Sequence, residues 1–353
     1  MKKILLFFSL LSVLFLWLCA ASVYVSPAVY GRLFGVLGLL FPFGVAATAG
    51  MWVICLLFSR RMALIPLFGL LACCGSLRDY CPINLSSPPP KGCLKVMTYN
   101  VMCFNQWAKT DDGRDFETLR YLCAQQCDLI AIQEALIRTD DDILLRQGTA
   151  ARRGYVYEDV VLGCNIVGLL SRYPVAKKEV LFHSAANGAA AFYVCPAPRD
   201  TIIVVNAHLE SMHLSSTERE AYHTMVKNPE QADSLRGKLA FLSKIANSSV
   251  ERACQADTLA QFIDRHKDRK LIVMGDFNDT PISYAHHEVC RRLTDTYRST
   301  GNGLGRSFNK DAIVVRIDNI FCSARFKPFA AAVDPAVTLS DHYPLTVFLK
   351  EQP

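Results

Sequence analysis

Leu271-Ile-Val-Met-Gly-Asp-Phe-Asn-Asp-Thr-Pro281 is the stretch of sequence that decides the fold. Its apolar run into Gly275, bounded by turn residues, is typical of a fully buried strand. The end of that strand delivers Asp276 and Asn278, two residues apart, so an extended backbone would point both side chains to the same side. A carboxylate beside a carboxamide at this position can hold a water molecule and a metal ion against a phosphate. Asp and Asn also favour turns, so the stretch alone leaves an ordinary turn as an equal alternative.

Other predicted strands also end in polar side chains. They cover residues 94–101, 128–134 and 200–209, and their ends carry Asn100, Glu134, and the pair Asn206 and His208. A buried apolar strand rarely ends in an unpaired carboxylate, so Glu134 is difficult to explain by packing. A lone His is more often structural, whereas Asn206 and His208 together at a strand end favour a functional site. These strands therefore place potential ligands for a hard cation at their ends.

The C-terminal part of the chain adds a carboxylate and a histidine. Residues 314–321 predict a strand with Asp318 inside it, and a buried Asp needs a polar partner. Residues 338–344 contain Asp341-His342, the only adjacent Asp-His pair in the chain. A histidine serves as a general base when a carboxylate orients its ring, and Asp318 is the natural candidate to orient His342.

Predicted helices alternate with these strands. Residues 116–127 repeat apolar side chains at a helical period, and residues 235–263 predict one long or one broken amphipathic helix. The polar segment 209–231 is expected to form a loop over the site, with His213 and His223 incidental to it. Strands that alternate with helices indicate an α/β domain.

The N-terminal region is predominantly apolar. Residues 4–25 and 33–58 reach the roughly 20 residues that cross a bilayer, and residues 62–77 lie near the lower limit of roughly 17. The basic start and the small residues at 19–22 resemble a signal peptide, but the second apolar run favours retained spans. We therefore divide the chain into a membrane region with two to three transmembrane helices (1–80), a Pro-rich linker (81–93) and a catalytic domain (94–353).

Basic residues indicate how the membrane region is oriented. Lys2, Lys3, Arg60 and Arg61 mark cytoplasmic ends by the positive-inside rule. If residues 62–77 cross the bilayer, the catalytic domain lies on the non-cytoplasmic side of the cell membrane, which is the arrangement that we expect. If they re-enter instead, the domain stays in the cytoplasm. The fourteen cysteines do not decide between these compartments, because the even number that follows the membrane region leaves disulfides open.

The net charge of +6 belongs to the membrane region and the linker. Seven of the 38 Lys and Arg residues and one of the 32 Asp and Glu residues lie in residues 1–91, which leaves 31 of each sign for residues 92–353. A neutral catalytic domain argues against a broad basic footprint for duplex nucleic acid, although a local basic groove stays compatible with it.

Taken together and in this order, the motifs resemble those of the endonuclease/exonuclease/phosphatase superfamily, which includes DNase I-like nucleases, neutral sphingomyelinases and inositol-polyphosphate phosphatases. The chain also looks close to membrane-tethered bacterial members. The matching pieces are Thr98-Tyr-Asn100, Ile132-Gln-Glu134, Leu170-Ser-Arg-Tyr-Pro174, Asn206-Ala-His208, Gly275-Asp-Phe-Asn278, Arg316-Ile-Asp318 and Ser340-Asp-His342. Each piece is weak alone, whereas the ordered set spans the whole predicted catalytic domain.

The resemblance implies an α/β fold, namely a four-layer sandwich of two packed mixed β-sheets flanked by helices and preceded by N-terminal transmembrane helices. It also implies a divalent cation at one edge between the sheets. Asn100, Glu134 and Asp341 would bind Mg²⁺, with Mn²⁺ as the alternative, because such ions take oxygen ligands.

The resemblance further implies roles in catalysis for the remaining strand-end residues. Asp276 would orient or deprotonate the attacking water, and His342, oriented by Asp318, would serve with His208 as acid or base. The residues implied to bind the phosphate are Asn206, His208 and Asn278.

The function implied is a membrane-anchored, Mg²⁺-dependent phosphoesterase that attacks a phosphodiester or phosphomonoester in line with an activated water. Its expected partners are the bilayer and a phosphoester substrate, whether a lipid headgroup, a small phosphoester or a nucleic acid; no obligate protein partner is predicted. A nuclease acting on DNA or RNA is the alternative, and a catalytically silent membrane-anchored binding protein with the same fold is a further one.

Overall fold

The computed structural model describes residues 2–85, 87–111, 113, 115–137, 148–212, 235–310 and 314–352, without the side chains of 235–241. The main helices are α1 (Lys2–Ala21), α2 (Pro27–Tyr30), α3 (Phe34–Leu37), α4 (Phe41–Phe58), α5 (Arg60–Ala72), α6 (Cys74–Tyr80), α7 (Glu117–Ala124), α8 (Thr149–Arg152), α9 (Leu235–His266), α10 (Tyr284–Cys290) and α11 (Thr296–Thr300). Short 3-10 helices cover Ser22–Tyr24 and Gly38–Leu40, and Met102–Trp107 is a helical segment whose residues have positive φ. The strands are β1 (Leu94–Asn100), β2 (Leu129–Gln133), β3 (Val156–Leu162), β4 (Asn165–Ser171), β5 (Val175–His183), β6 (Gly188–Val194), β7 (Ile202–His208), β8 (Leu271–Asp276), β9 (Thr294–Asp295), β10 (Asp318–Cys322), β11 (Phe326–Val333) and β12 (Leu345–Glu351).

The strands form two mixed sheets. The first has the order β11-β12-β1-β2-β4-β3, and the second has the order β5-β6-β7-β8-β10-β9. Near the middle of each sheet two neighbours run parallel, β1 with β2 and β7 with β8, while the other neighbours are antiparallel. Parallel neighbours end at the same edge, so each sheet delivers two strand ends to one place.

The two sheets pack face to face over an apolar core to which both contribute, for example Val96 and Leu169 from the first and Phe192 and Met274 from the second. Helices α7 and α8 cover the outer face of the first sheet. Helices α9 and α10 cover the outer face of the second sheet. The layers therefore run helix, sheet, sheet, helix, and the predicted four-layer sandwich is confirmed.

The apolar helices precede the sandwich and pack against one another. Two segments, Lys2–Tyr24 and Phe34–Phe58, are long and apolar enough to cross a membrane. Helices α5 and α6 meet at 56° and together are a candidate third span. Helix α1 runs antiparallel to α4, because Ser9 contacts Cys55 (Oγ–Sγ 3.3 Å) while Ser12, later in α1, accepts from Thr48, earlier in α4 (3.1 Å). Trp17 near the end of α1 donates to the carbonyl of Gly69 near the end of α5 (3.1 Å).

Some predicted elements differ from the observed ones. Residues 235–263 belong to one helix, α9, which reaches His266 without a break. The strand predicted from residue 314 begins only at Asp318, because the side chain of Ser307 takes the backbone N–H groups of Ile317 and Asp318 (both 3.0 Å). Asp318 therefore stands at the start of a strand and not inside it. Most of the predicted loop 209–231, with His213 and His223, lies outside the described residues.

Candidate active site

The two parallel strand pairs bring the site together. In the first sheet Asn100 lies opposite Gln133, the residue before Glu134. In the second sheet His208 lies opposite Asp276, and the antiparallel strand β10 places Asp318 opposite Asp276 as well. Residues that are far apart in sequence therefore meet at one edge between the sheets, as the strand-end pattern predicts.

Gly275 makes the close pairing of β7 and β8 possible. Its φ is 148°, and a Cβ added there would lie 1.8 Å from the carbonyl oxygen of Ala207. No other residue type fits so near a neighbouring backbone. Gly275 therefore allows His208 and Asp276 to emerge side by side.

Asp276 is the centre of the cluster. Its Oδ2 accepts a hydrogen bond from Asn100 Nδ2 (3.1 Å) and lies 3.7 Å from His208 Nε2 and 3.6 Å from His342 Nε2. Its Oδ1 accepts the backbone N–H of Asn278 (2.8 Å). The side chain is 1% exposed, so its charge is held by these groups and by what enters the cleft.

Glu134 brings a second carboxylate next to Asp276. Asn100 Nδ2 donates to Glu134 Oε1 (3.1 Å) as well as to Asp276, so the amide bridges the two carboxylates. Glu134 Oε1 also lies 3.9 Å from His208 Nε2. The backbone of Glu134 has a φ of 52°, which is strained for a residue with a Cβ and is typical of functional positions. Because its side chain is one-third exposed, Glu134 opens toward solvent.

His342 and Asp318 form the predicted pair. His342 Nδ1 lies 2.8 Å from Asp318 Oδ2, both side chains are buried, and Phe308 packs edge-on against the imidazole with centroids 5.2 Å apart. Burial alone would lower the pKa of His342, but the charges of Asp318 and Asp276 outweigh it and raise that pKa to about 10. With Nδ1 occupied, Nε2 is the ring atom that faces the cleft.

His208 is oriented in a similar way. Asn165 Nδ2 lies 3.3 Å from His208 Nδ1 and can only donate, so Nδ1 is the acceptor and Nε2 carries the hydrogen in the neutral ring. That hydrogen points between Glu134 and Asp276. Both histidines thus present Nε2 to the same small region.

Asn278 and Asn206 differ from the predictions. Asn278 has a φ of 50° and follows β8 in a turn, so the extended arrangement expected for Asp276 and Asn278 is wrong, although the turn still brings both to the site. Asn278 Nδ2 donates to the carbonyl of Leu209 (2.9 Å). Asn206 is fully buried, and its Nδ2 donates to the carbonyls of Ile132 and Gly168 across the two sheets (2.9 and 2.8 Å). Its amide donors are used, so Asn206 ties the sheets together and is not free to bind phosphate.

Asp341 lies beside the cluster at its edge. Its Oδ1 is 3.4 Å from Ser340 Oγ, which donates to the carbonyl of Asn100 (2.7 Å). Its charge contributes to the raised pKa of His342. The structure thus places Asp341 at the side of the site where Asn100 stands.

Residues that the sequence analysis did not identify support the site by binding the segments that follow His208 and Asn278. Arg252 of α9 is fully buried; its Nε donates to Asp279 Oδ2 (2.9 Å) and its Nη1 donates to the carbonyl of Glu210 (3.0 Å). Gln255, one turn later, accepts the backbone N–H of Glu210 (2.8 Å). Helix α9 therefore joins the segment after His208 to the segment after Asn278. A signal was available, because Arg252 lies seven residues from both Ile245 and Leu259 on the predicted apolar face of the helix.

The residues of the site fit a divalent cation. Potential ligand atoms of Asp276, Asp318 and His342 lie within 4.8 Å of one another, and Glu134 and Asp341 add two further carboxylates at the same edge. Among the residues that the structure describes, neither Asp276 nor Glu134 pairs with Lys or Arg, and Asp318 Oδ1 is buried without a partner. Clustered carboxylates without a matching cation disfavour one another, and oxygen donors are what Mg²⁺ and related ions bind.

A second group of potential ligands, His286, Cys290 and Asp295, lies elsewhere in the second sheet and its helices. Here Asp295 Oδ2 is 3.0 Å from Arg316 Nη2 and 3.1 Å from His286 Nε2. Burial would raise the pKa of Asp295, but Arg316 and His286 hold it well below its usual range. The charge is matched by Arg316, so this group fits a structural ion-pair network and not a metal site.

Two family models match the chain. A family model described as the Endonuclease/Exonuclease/phosphatase family matches residues 97–342, and a model described as a domain of unknown function matches residues 2–80. A search of curated proteins gave no match.

Several solved structures share the fold. The human Nocturnin catalytic domain with bound sulfate is 16% identical over 75% of this chain and 97% of its own, with a TM-score of 0.51. The 3′ phosphatase NExo from Neisseria, bound to product DNA hairpin, is 17% identical over 74% of this chain and 100% of its own, with a TM-score of 0.52. An endonuclease/exonuclease/phosphatase from Beutenbergia cavernae is 17% identical over 73% of this chain and 72% of its own, with a TM-score of 0.51.

Proposed function

Because the chain belongs to the Endonuclease/Exonuclease/phosphatase family, whose members are metal-dependent phosphoester hydrolases, we propose that it is a membrane-anchored, Mg²⁺-dependent phosphoesterase that hydrolyses a phosphodiester or phosphomonoester. The observation that carries the proposal is Asp276, buried between two histidine Nε2 atoms and bridged by Asn100 to Glu134. This arrangement combines a proton acceptor, hydrogen-bond donors and a demand for positive charge within one small cleft.

Mg²⁺ would be held by Glu134, Asp341 and the amide oxygen of Asn100, whose Nδ2 also fixes the position of the Glu134 carboxylate. When bound, the cation offsets negative charge on the phosphoryl oxygens. The exposed carboxylate of Glu134 supports this assignment, because Asp276 and Asp318 are much more deeply buried. Mn²⁺ has similar ligand preferences and is expected to substitute.

The protein residues supply positioning and proton transfer. Asp276 accepts the proton of the attacking water, because its carboxylate is an acceptor held rigidly by Asn100 and by the backbone of Asn278. The Nε2–H groups of His208 and His342 point at the same region and stabilise charge on the phosphate or protonate the leaving oxygen. Asp318 keeps the ring of His342 in that orientation.

Turnover of a generic phosphodiester, bis(p-nitrophenyl) phosphate, tests the proposal with and without Mg²⁺. Glu134→Ala and His342→Ala are expected to abolish turnover, whereas Glu179→Ala, which removes a surface carboxylate paired with Lys177, serves as the control. Turnover that survives both site substitutions would contradict the assignment of the site.

A nuclease is the second candidate, because the Neisseria relative is a 3′ phosphatase whose structure holds product DNA. The balance of 31 basic and 31 acidic residues after residue 91 gives little attraction to a polyanion and so favours a smaller phosphoester. Parallel assays on DNA, RNA, sphingomyelin and inositol phosphates separate these substrates.

The helix arrangement supports a non-cytoplasmic catalytic domain. Helices α1 and α5 both run toward the sandwich, so Lys2 and Lys3 at the start of α1 and Arg60 and Arg61 at the start of α5 lie at the end away from it. Basic clusters favour the cytoplasm, which would leave the sandwich on the opposite side. Protease accessibility in intact cells, or a reporter fused after the C-terminus, tests this orientation.

A further inference from the structure

The membrane region contacts the loop that carries the catalytic carboxylate. Ile282, on the loop that follows Asp276 and Asn278, is 1% exposed and packs in one apolar cluster with residues of the apolar helices. Those residues are Leu16, Cys19, Val23, Phe41 and Cys73. The approach is close, because a Cβ added to Gly38 would lie 1.9 Å from the carbonyl oxygen of Ile282.

The start of the linker contacts a second segment that builds the site. The backbone N–H of Gly303 donates to the carbonyl of Pro82 (2.9 Å), and that of Asn84 donates to Asn302 Oδ1 (2.6 Å). The same segment continues to Ser307, which takes the N–H of Asp318, and to Phe308, which packs on the His342 ring. Two segments that form the site therefore contact the membrane region and the linker. The loop with Ile282 packs against the apolar helices, and the segment with Asn302 and Gly303 bonds to the linker.

A third contact fixes this arrangement. Fully buried Arg316 donates from Nη2 to the carbonyl of Asp79 at the end of α6 (3.2 Å), and Arg298 pairs with the Asp79 carboxylate. Since Arg316 directly precedes the Ile317-Asp318 dipeptide, the end of the apolar region is anchored to the start of β10. The site and the helix ends thus form one packed unit and are not joined only by a flexible tether.

Apolar side chains stay exposed around this junction. In the linker Ile83 is 86% exposed and Leu85 is 97% exposed, and Leu304 on the contacting segment is 39% exposed. Tyr24 and Tyr30, in the connection between α1 and α4, are 72% and 70% exposed. Exposed apolar and aromatic residues next to membrane-length helices are typical of a surface that rests in the bilayer interface.

From these contacts we propose that the substrate is a lipid of the same bilayer leaflet, whose headgroup phosphoester reaches the site over the junction formed by Ile282, Leu304 and the linker. This inference rests on the proposed function and commits it to one substrate class. Water adds to phosphorus, one P–O ester bond breaks, and the released alcohol takes the proton. A phosphoester with an apolar tail can stay anchored while its headgroup enters, and a neutral catalytic domain does not repel or specially attract it.

Reconstitution of the full chain into vesicles of phosphatidylcholine, phosphatidylethanolamine, phosphatidylglycerol and phosphatidylinositol tests the proposal. Protein-free vesicles of the same composition, with carbon-13 headgroups, are added, and mass spectrometry distinguishes the two sets of products. Lipids of the protein's own bilayer are expected to react faster by about 10²-fold, because a shared membrane raises their effective concentration. Equal turnover of the two vesicle populations would overturn the proposal, as would a preference for DNA over all the lipids.

Variants of the junction separate this inference from the proposed function. Leu304→Glu and Leu85→Glu are expected to raise the KM for vesicle lipid by about tenfold each, because the charge weakens contact with the bilayer. Their turnover of bis(p-nitrophenyl) phosphate should stay unchanged. Val161→Glu is the matched control, since Val161 is 65% exposed on the edge strand β3. If the wild-type protein hydrolyses neither the soluble diester nor p-nitrophenyl phosphate with Mg²⁺, the proposed function itself is wrong. If soluble turnover is present but lipid turnover is absent, only the lipid inference is wrong.

Discussion

Two buried groups of histidine and carboxylate side chains lie along strand β10, and they differ in how their charge is matched. At the start of the strand, Asp318 lies with Asp276 and His342, and Glu134 stands nearby. Further along, Asp295 lies with His286 and with fully buried Arg316. Either group could be taken for a metal site from its composition alone.

The difference is the guanidinium. In the second group Arg316 matches the charge of Asp295, and the backbone N–H groups of Tyr297 and Arg298 satisfy the other carboxylate oxygen (2.8 and 3.0 Å). In the first group the described residues provide carboxylates and histidines but no Arg or Lys within ion-pair distance of Asp276. A buried network whose charges are matched contributes to folding, whereas one with more carboxylates than positive groups is prepared for a cation or a substrate.

Replacement of Asp276 by Asn gives the largest expected effect. Asp276→Asn keeps the shape of the side chain but removes the proton acceptor, so kcat should fall by about 10³-fold or more. The melting temperature should hold or rise, because one charge leaves a repulsive cluster. Steady-state kinetics on a soluble phosphodiester and thermal unfolding measure both results, and a large loss of stability would show that the first group is structural after all.

Replacement of Asp295 should have the opposite profile. Asp295→Asn leaves Arg316 buried without its charge partner, so the free energy of unfolding should fall by about 3–5 kcal/mol. Activity per folded molecule should stay close to that of the wild type, because Asp295 lies outside the cleft. Chemical denaturation with activity measured in the native baseline tests this, and lost activity in a fully folded Asp295→Asn protein would break the contrast.

The same residue sets an expected pH dependence. The folded-state pKa of Asp295 lies below its unfolded value, so its stabilisation is present above about pH 4 and is lost as the pH falls toward the folded value. Wild-type protein should therefore lose stability in acid more steeply than Asp295→Asn. Denaturation midpoints measured from pH 6 downward test this, and parallel curves for the two proteins would contradict it.

The four-layer fold could be predicted from the sequence because the motifs at the strand ends carry the resemblance to the family, whereas the alternation of strands and helices alone indicates only an α/β domain. Gly275 and Asp276, Glu134 and His208 each follow a buried apolar run, and parallel pairing in the middle of each sheet brings these ends to one edge. Edge strands such as β3, β5 and β11 were not predicted. Their partly exposed residues alternate weakly, and their pairing depends on neighbours that are distant in sequence.

The roles of site residues were harder to predict from the sequence where a side chain forms hydrogen bonds with backbone that is distant in sequence. Asn206 and Asn278 look equivalent in sequence, but their side-chain amides donate to different backbone carbonyls. Asn206 donates to two carbonyls of the other sheet, and Asn278 donates to the carbonyl of Leu209 after β7. Arg252 lies on the apolar face of its helix, but the periodicity does not show which distant groups it contacts there. Such roles depend on where two loops converge, which local pattern does not encode.

Addition of Mg²⁺ should increase the free energy of unfolding, and the effect of substitutions on that increase shows which of the two groups binds the metal. A cation that binds only the folded protein stabilises it by about 2.7 kcal/mol at a concentration of 100 times its Kd. We expect that shift in wild type and in Asp295→Asn, and we expect most of it to disappear in Glu134→Gln. Thermal unfolding across a Mg²⁺ titration measures it. A shift that survives Glu134→Gln but disappears in His286→Ala would move the metal to the second group.

The smallest expected effect is a loss of positioning through Arg252. Arg252→Lys keeps the buried charge, but a single ammonium cannot reproduce the separate hydrogen bonds to Asp279 and to the carbonyl of Glu210. The segments after His208 and Asn278 then lose their common anchor, so kcat should fall by about tenfold while KM and the Mg²⁺-induced stabilisation change little. Arg265→Lys, on the exposed face of the same helix, is the control. If stability and activity fall together in Arg252→Lys, the residue supports the fold in the way that Arg316 does. Positioning of the site would then be confined to the residues that line the cleft.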